Sequence, residues 1–315
     1  MYSYVFGCND VGLKIESNSH KLVKDLLDLY GDYYSDKGIK PTTTIRYLEK
    51  NIPDNYQVID RENENESYNY LSYDEESDTL TVSFDGEYTS DKLSFMQRIM
   101  CNVFIMEFQR NGYAIVHGAC VSKDGESFII SGNKGAGKTT TLIRLLEQGY
   151  DFISNDKVAV KEENGRVVTC GIPHSMGIIK EDVGNFNINQ KFGRIDGPKI
   201  YFRVADLGDA LDVNVFNKGY LNRMIFPRYE KGREELSISD CSNNLEQLGR
   251  ENIFKEEAVA DQKSYLLKIM KKIDYVDAVC INKVPGSVVK QGEETFDQLG
   301  SFIKNSVKGD KKCLH

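Results

Sequence analysis

The chain has 315 residues, of which 40% are hydrophobic, and a formal net charge of −8. That length predicts one large core or two smaller ones, and the acidity excludes a general nucleic-acid binder, which needs a basic face. No apolar run is long enough to span a membrane, the N-terminal MYSYVFGCND lacks the layout of a secretion signal, and seven scattered cysteines without a CxxC pair fit reduced thiols better than disulfides or a zinc site. A cytoplasmic protein with no membrane and no nucleic-acid partner is expected.

In chain order, YSYVFGC reads as a strand, and HKLVKDLLDLY as a helix with Leu22, Leu26 and Leu29 on one stripe. NYQVID and TLTVSF are strand-like, the second alternating Leu80, Val82 and Phe84 onto one face. Between them RENENESYNYLSYDEESD is acidic and tyrosine-rich, a solvated hairpin or a partner-binding surface. From Asp91 to Arg110 the pattern becomes helical and densely apolar (Phe95, Met96, Ile99, Met100, Val103, Phe104, Met106), with Ser90 or Asp91 as cap and Gly112 as stop. A helix of this kind reads as core, buried between two halves. YAIVHGACVSKDGESFIIS holds two strands around Asp124-Gly125, a tight-hairpin dipeptide. Leu142, Leu145 and Leu146 stripe the next helix, which Gly149 ends. YDFIS is a strand, and VAVKEENGRVVTC a hairpin turning at Glu163-Asn164-Gly165. KIYFRV, LNRMIFP and DYVDAVCIN read as strands, residues 244–273 as mostly helical, and EETFDQLGSFIKNSV as a closing helix.

GNKGAGKT fills the complete phosphate-loop pattern: Gly132, Asn133, Lys134, Gly135, Ala136, Gly137, Lys138 and Thr139, with Thr140 following. The glycines let backbone N–H groups curl around phosphates, and the helix behind adds its positive end. Lys138 is placed for the outer phosphates and the Thr139 hydroxyl for Mg²⁺. No Asn-Lys-x-Asp guanine reader is present, since INKVPG and FNKGY both lack the final acid, so ATP is the default. One helix later, SND places Asp156 at the end of the strand DFIS. In parallel topology that strand end emerges beside the loop, where an acid can accept an attacking hydroxyl's proton. A turn in which Asn155 and Asp156 cap the backbone is the structural alternative. His174 has no partner at ligand spacing and reads as structural.

Three anchors, VHGACV, GNKGAGKT and GYDFISNDKV, together resemble HPr kinase/phosphorylase and its relatives, among them enzymes that phosphorylate serines on peptide precursors. The resemblance runs over roughly residues 113–182, with a fainter echo around 220–240. It implies an HPr-kinase-like, carboxykinase-related α/β fold in which Lys138 and Thr139 bind phosphate and metal. It further implies Asp156 as base toward the acceptor serine, His117 as the active-site histidine, and Arg228 as an arginine near the phosphates. The chain departs from the pattern at Asn155, where the family has a first acid, and at Lys134, where it has a serine. It also lacks the second metal-binding glutamate and the loop for the reverse reaction, which implies a one-way kinase.

The expected architecture is an N-terminal mixed α/β accessory domain (1–90), a linking helix (91–112), an HPr-kinase-like nucleotide-binding domain (113–307) and a tail (308–315). The expected activity is ATP- and Mg²⁺-dependent transfer to a hydroxyl, with a serine in a peptide or small protein as acceptor. Asn155 and Thr139 are the expected metal-side residues. A non-catalytic nucleotide-binding regulator and a small-metabolite kinase stay open as alternatives, and so does assembly into a homo-oligomer.

Overall fold

Short alternating runs closed by turn residues make strands the commonest regular structure among the described residues. The computed structural model describes residues 1–31, 38–49, 57–58, 69–84, 86–89, 92–227, 239–240 and 274–277. Its contacts divide the chain into two units, Met1–Asn111 and Gly112–His315.

In the first unit β1 (Tyr2–Cys8) and β2 (Val11–Ser17) form an antiparallel hairpin. α1 (His20–Tyr30) follows, capped by Ser19, whose hydroxyl accepts from the Leu22 N–H. Its stripe of Leu22, Leu26 and Leu29 is buried, as its spacing requires. β3 (Thr43–Glu49) lies parallel to β2, so β2, α1 and β3 make a crossover unit. β4 (Gln57–Val58), β5 (Asn69–Asp74) and β6 (Thr79–Phe84) complete a six-stranded sheet in the order β1-β2-β3-β6-β5-β4. β5 and β6 supply a hairpin within the acidic tyrosine-rich run, turning between Asp74 and Thr79; residues 61–68 of that run lie outside the described residues. α2 (Leu93–Arg110) packs on β2, β3 and α1, burying Met96, Met100, Val103 and Phe104. The expected caps Ser90 and Asp91 lie outside the described residues. α2 also carries a carboxylate inward: Glu107, 1% exposed, accepts from Thr43 Oγ1 and Arg110 Nη1, both at 2.7 Å, and from Thr42.

The second unit is organised by a bent ribbon. β7 (Ala114–His117) and β8 (Ala119–Lys123) are separated only by Gly118. β9 (Glu126–Ile130) and α3 (Lys138–Glu147) come next. β10 (Asp151–Ser154) and β11 (Lys157–Glu163) are separated only by Asn155-Asp156. β10 pairs with β8 and β11 with β7 in nearly one continuous antiparallel register, and across the interruption Gly118 N–H donates to Asp156 O at 2.9 Å. β12 (Arg166–Gly171) forms a hairpin with β11 through Asn164-Gly165, whose φ values of 52° and 79° are those of a type I′ turn. Asp124-Gly125, at 53° and 82°, turns β8 into β9 the same way.

Next come β13 (Met176–Ile179), α4 (Lys180–Val183), β14 (Gly193–Asp196), β15 (Lys199–Phe202) and α5 (Leu207–Leu211). β16 (Lys218–Ile225) enters the gap between β9, to which it is parallel, and β12, to which it is antiparallel. The order β8-β9-β16-β12-β11-β7, with β7 and β8 joined through Gly118, brings the sheet back on itself. Alternation sorts the two faces. Val116, Cys120, Ile129, Ile153, Val158 and Met224 cluster on one face. Val121, Phe128, Ile130, Phe152 and Ile225 pack on the other with Leu142, Leu145 and Leu146 of α3. β13, β15 and β14 form a separate three-stranded sheet whose Met176, Ile178, Ile200 and Phe202 join that α3 cluster. α3 is therefore covered on more than one side, with Thr141 through Leu146 all buried, Arg144 included.

β17 (Ser239–Asp240) and β18 (Asp274–Asp277) extend the larger sheet beside β16. The helices expected at 244–273 and in EETFDQLGSFIKNSV lie outside the described residues. Among the described residues no helix is long and apolar enough to cross a membrane.

Candidate active site

The site forms where four strand ends meet. β9 ends at Ile130 and hands over to the loop 131–137, while parallel β16 ends beside it, with Ser131 N–H donating to Ile225 O at 2.9 Å. The Ser131 hydroxyl donates to His117 O, also at 2.9 Å, which ties the loop to the end of β7. Gly118 then joins this corner to Asp156. A Cβ on Gly118 would stand 2.8 Å from Ile130 O, so only glycine allows the ribbon to run this close to the strand feeding the loop.

The loop has the backbone its sequence predicts. Gly135 and Gly137 adopt φ of 86° and 95°, the left-handed region that favours glycine. No side chain caps α3, the arrangement in which a helix N-terminus takes an anion. Asn133, Lys134 and Gly135 are exposed, while Ala136, Lys138, Thr139 and Thr140 are half-buried where the loop enters the helix. Lys138 Nζ donates back to Gly132 O and to Asn133 O, the latter at 3.3 Å. Gly132 packs against Pro227, with 3.4 Å from its would-be Cβ to Pro227 O. Arg228, the next residue in the chain, lies outside the described residues.

His117 and Asp156 are brought together. His117 Nε2 lies 3.3 Å from Asp156 Oδ1, and the two side chains are 44% and 31% exposed. Lys157, registered opposite His117 in the β11–β7 pairing, places its ammonium on Asp156 Oδ2. Burial alone would raise the Asp156 carboxyl. The hydrogen bond from His117 and the charge of Lys157 overcome that, His174 adds to them, and together they hold it well below the usual carboxylate range. Asn155 Nδ2 donates to Ser175 O at 3.1 Å, and His174 Nδ1 meets the same carbonyl at 2.9 Å. The Asn155 amide is thereby turned so that its Oδ1 is buried without a hydrogen-bond partner.

The acid reaches the loop differently from the simplest expectation. β10 and β9 point the same way, but β8 lies between them, antiparallel to both. Proximity comes from the Gly118 corner. The sequence reading left His174 structural and passed over Lys157; His174 stands near enough for its charge to act on Asp156, and the Lys157 ammonium sits on that acid. In a regular strand consecutive side chains diverge, but Asp156 precedes β11, so alternation does not separate it from Lys157.

No family model matches the chain. It is 31% identical over 109 residues to an HPr kinase/phosphorylase of Treponema pallidum (strain Nichols), covering 33% of this chain and 32% of that protein. An HPr kinase/phosphorylase of Clostridium tetani is 26% identical over 130 residues, 41% of this chain and 38% of that protein. The chain thus spans between about a third and two fifths of the length of these curated relatives. Among solved structures it is similar to the Hpr(Ser) kinase/phosphatase from Coxiella burnetii, with 13% identity, a TM-score of 0.33, and coverage of 63% of this chain and 99% of that one. By sequence, then, the chain is HPr-kinase-like across about a third of its length.

Proposed function

We propose that the second unit transfers the γ-phosphoryl group of ATP to a hydroxyl, with a serine in a peptide or small protein as the acceptor. The observation that carries this reading is the Asp156 carboxylate, 3.3 Å from His117 Nε2 and joined through Gly118 to the strand that feeds the phosphate loop. The names of the relatives support the class of reaction.

In this reading the loop amides and the α3 N-terminus hold the phosphates, and Lys138 exchanges its contacts with Gly132 O and Asn133 O for phosphate oxygens. Mg²⁺, a hard ion that takes oxygen ligands, would neutralise charge on the outer phosphates when bound. The unpartnered Oδ1 of Asn155 and the Thr139 hydroxyl fit it as donors. Asp156 accepts a hydrogen bond from the acceptor hydroxyl and aims its oxygen at the γ-phosphorus. Even an ordinary carboxylate is a far weaker base than an alkoxide, so it takes no proton from a neutral alcohol before transfer begins. The proton therefore passes late, as the new P–O bond forms and the bond to ADP breaks, which suits a loose transition state. Arg228 enters this reading only through its neighbour Pro227, which packs on Gly132.

The test is transfer from labelled ATP to serine-containing peptides and small proteins, with mass spectrometry of the product. Asp156→Asn should lower transfer roughly 10²- to 10⁴-fold while nucleotide affinity holds, and Lys138→Ala should lose nucleotide binding. Equal phosphorylation of free serine would replace the peptide acceptor with a metabolite. Nucleotide binding without transfer to any acceptor would leave a regulator.

A further inference from the structure

The geometry points to Lys157 as a second phosphate-directed cation, one that the triphosphate draws off Asp156 when it binds. This rests on the reading that Asp156 faces the acceptor hydroxyl. The Lys157 ammonium sits on Asp156 Oδ2, while Oδ1 is held by His117. Its backbone is pinned, since Lys157 O accepts from the Ser154 hydroxyl at 2.6 Å and from Ile172 N–H at 3.2 Å. Movement is therefore left to the four-carbon stem, and the side chain is 31% exposed.

Distance arithmetic sets the reach. The acceptor oxygen must come within about 3 Å of Asp156 to share its proton and within about 3.5 Å of the γ-phosphorus to react. An ammonium already bonded to the same carboxylate is then within a side-chain rotation of the phosphoryl oxygens. A single carboxylate offers one negative charge, and a triphosphate offers several, so the ammonium gains by exchanging partners. The exchange also frees Oδ2 for the incoming hydroxyl. Lys138, parked on loop carbonyls, faces a similar exchange from the other side of the phosphates.

Such a cation contacts only the terminal phosphate, so it should separate ATP from ADP. Titration calorimetry of Lys157→Gln and Lys157→Met with ADP and with a non-hydrolysable ATP analogue reads this directly. Affinity for the analogue should fall about ten- to a hundredfold, the range of a charge-assisted hydrogen bond, with ADP affinity unchanged, and Lys157→Arg should retain most of the analogue's affinity. Unchanged ADP affinity also certifies the fold. Equal loss for both nucleotides, or no loss for either, in the uncharged variants overturns the assignment. Should Asp156→Asn retain full transfer, the acceptor-site reading falls, and the analogue-to-ADP ratio still decides whether Lys157 meets the γ-phosphate.

Discussion

Asn155 shows how one atom can separate two roles. Its amide nitrogen serves structure, donating to Ser175 O, while its oxygen is buried without a partner. Asn155→Asp keeps the oxygen and removes the donor. One carboxylate oxygen would then face the Ser175 carbonyl to which the amide had donated. Without metal the variant should lose about 1 kcal/mol of stability, the scale of one hydrogen bond. With Mg²⁺ and ADP the loss should be recovered, because the added charge now meets a cation. Thermal unfolding with and without Mg²⁺ checks both halves, and indifference to the ion would remove Asn155 from the metal side. At this scale Asp156 and His117 were singled out together through the resemblance to HPr kinases, and the two side chains do meet. Lys157 was not legible, since it meets the acid where Asp156 leads into β11, a juncture that no periodicity encodes.

The strand and helix scale divides between local and distant signals. Asp124-Gly125 and Asn164-Gly165 announced their hairpins, and both turn with positive φ at the paired positions. The α1 stripe announced its buried face. What stayed illegible was pairing between remote segments: β16 inserted between β9 and β12, β3 parallel to β2, and the small sheet of β13, β15 and β14. Those neighbours are chosen by which edges remain open once the hairpins have formed. Gly118 is where such distant pairing becomes exacting. Gly118→Ala would bring a methyl group to 2.8 Å from Ile130 O and 3.1 Å from Ile129 Cγ2. The ribbon would have to move off β9, at a cost of about 1–3 kcal/mol, and the start of the phosphate loop would move with it. Urea unfolding should show the loss, and nucleotide affinity should fall alongside it. A variant as stable as the parent would mean that the corner yields without strain.

Across the whole chain the two units hold themselves by different means. Met1–Asn111 adds to its apolar core a polar knot in which Glu107 joins Thr42, Thr43 and Arg110, and Arg110 reaches Asp78 at 2.8 Å. Glu107→Ala removes the acceptor shared by these donors and should destabilise that unit by about 1–3 kcal/mol, the scale of leaving buried donors such as the Thr43 hydroxyl short of an acceptor. Hydrogen exchange should show lower protection along β2, β3 and α2. The larger unit depends on order of arrival. β16 fills the place between β9 and β12, yet it is translated well after the phosphate loop. A growing chain on the ribosome therefore carries GNKGAGKT past the exit while the strand that braces Ser131 is still unmade. Nascent chains halted before Lys218 should fail to crosslink to photoreactive ATP, and chains extended well beyond Pro227 should gain that ability. On that outcome nucleotide would be a ligand only of chains that have already made β16, and a shorter product would be spared from sequestering it.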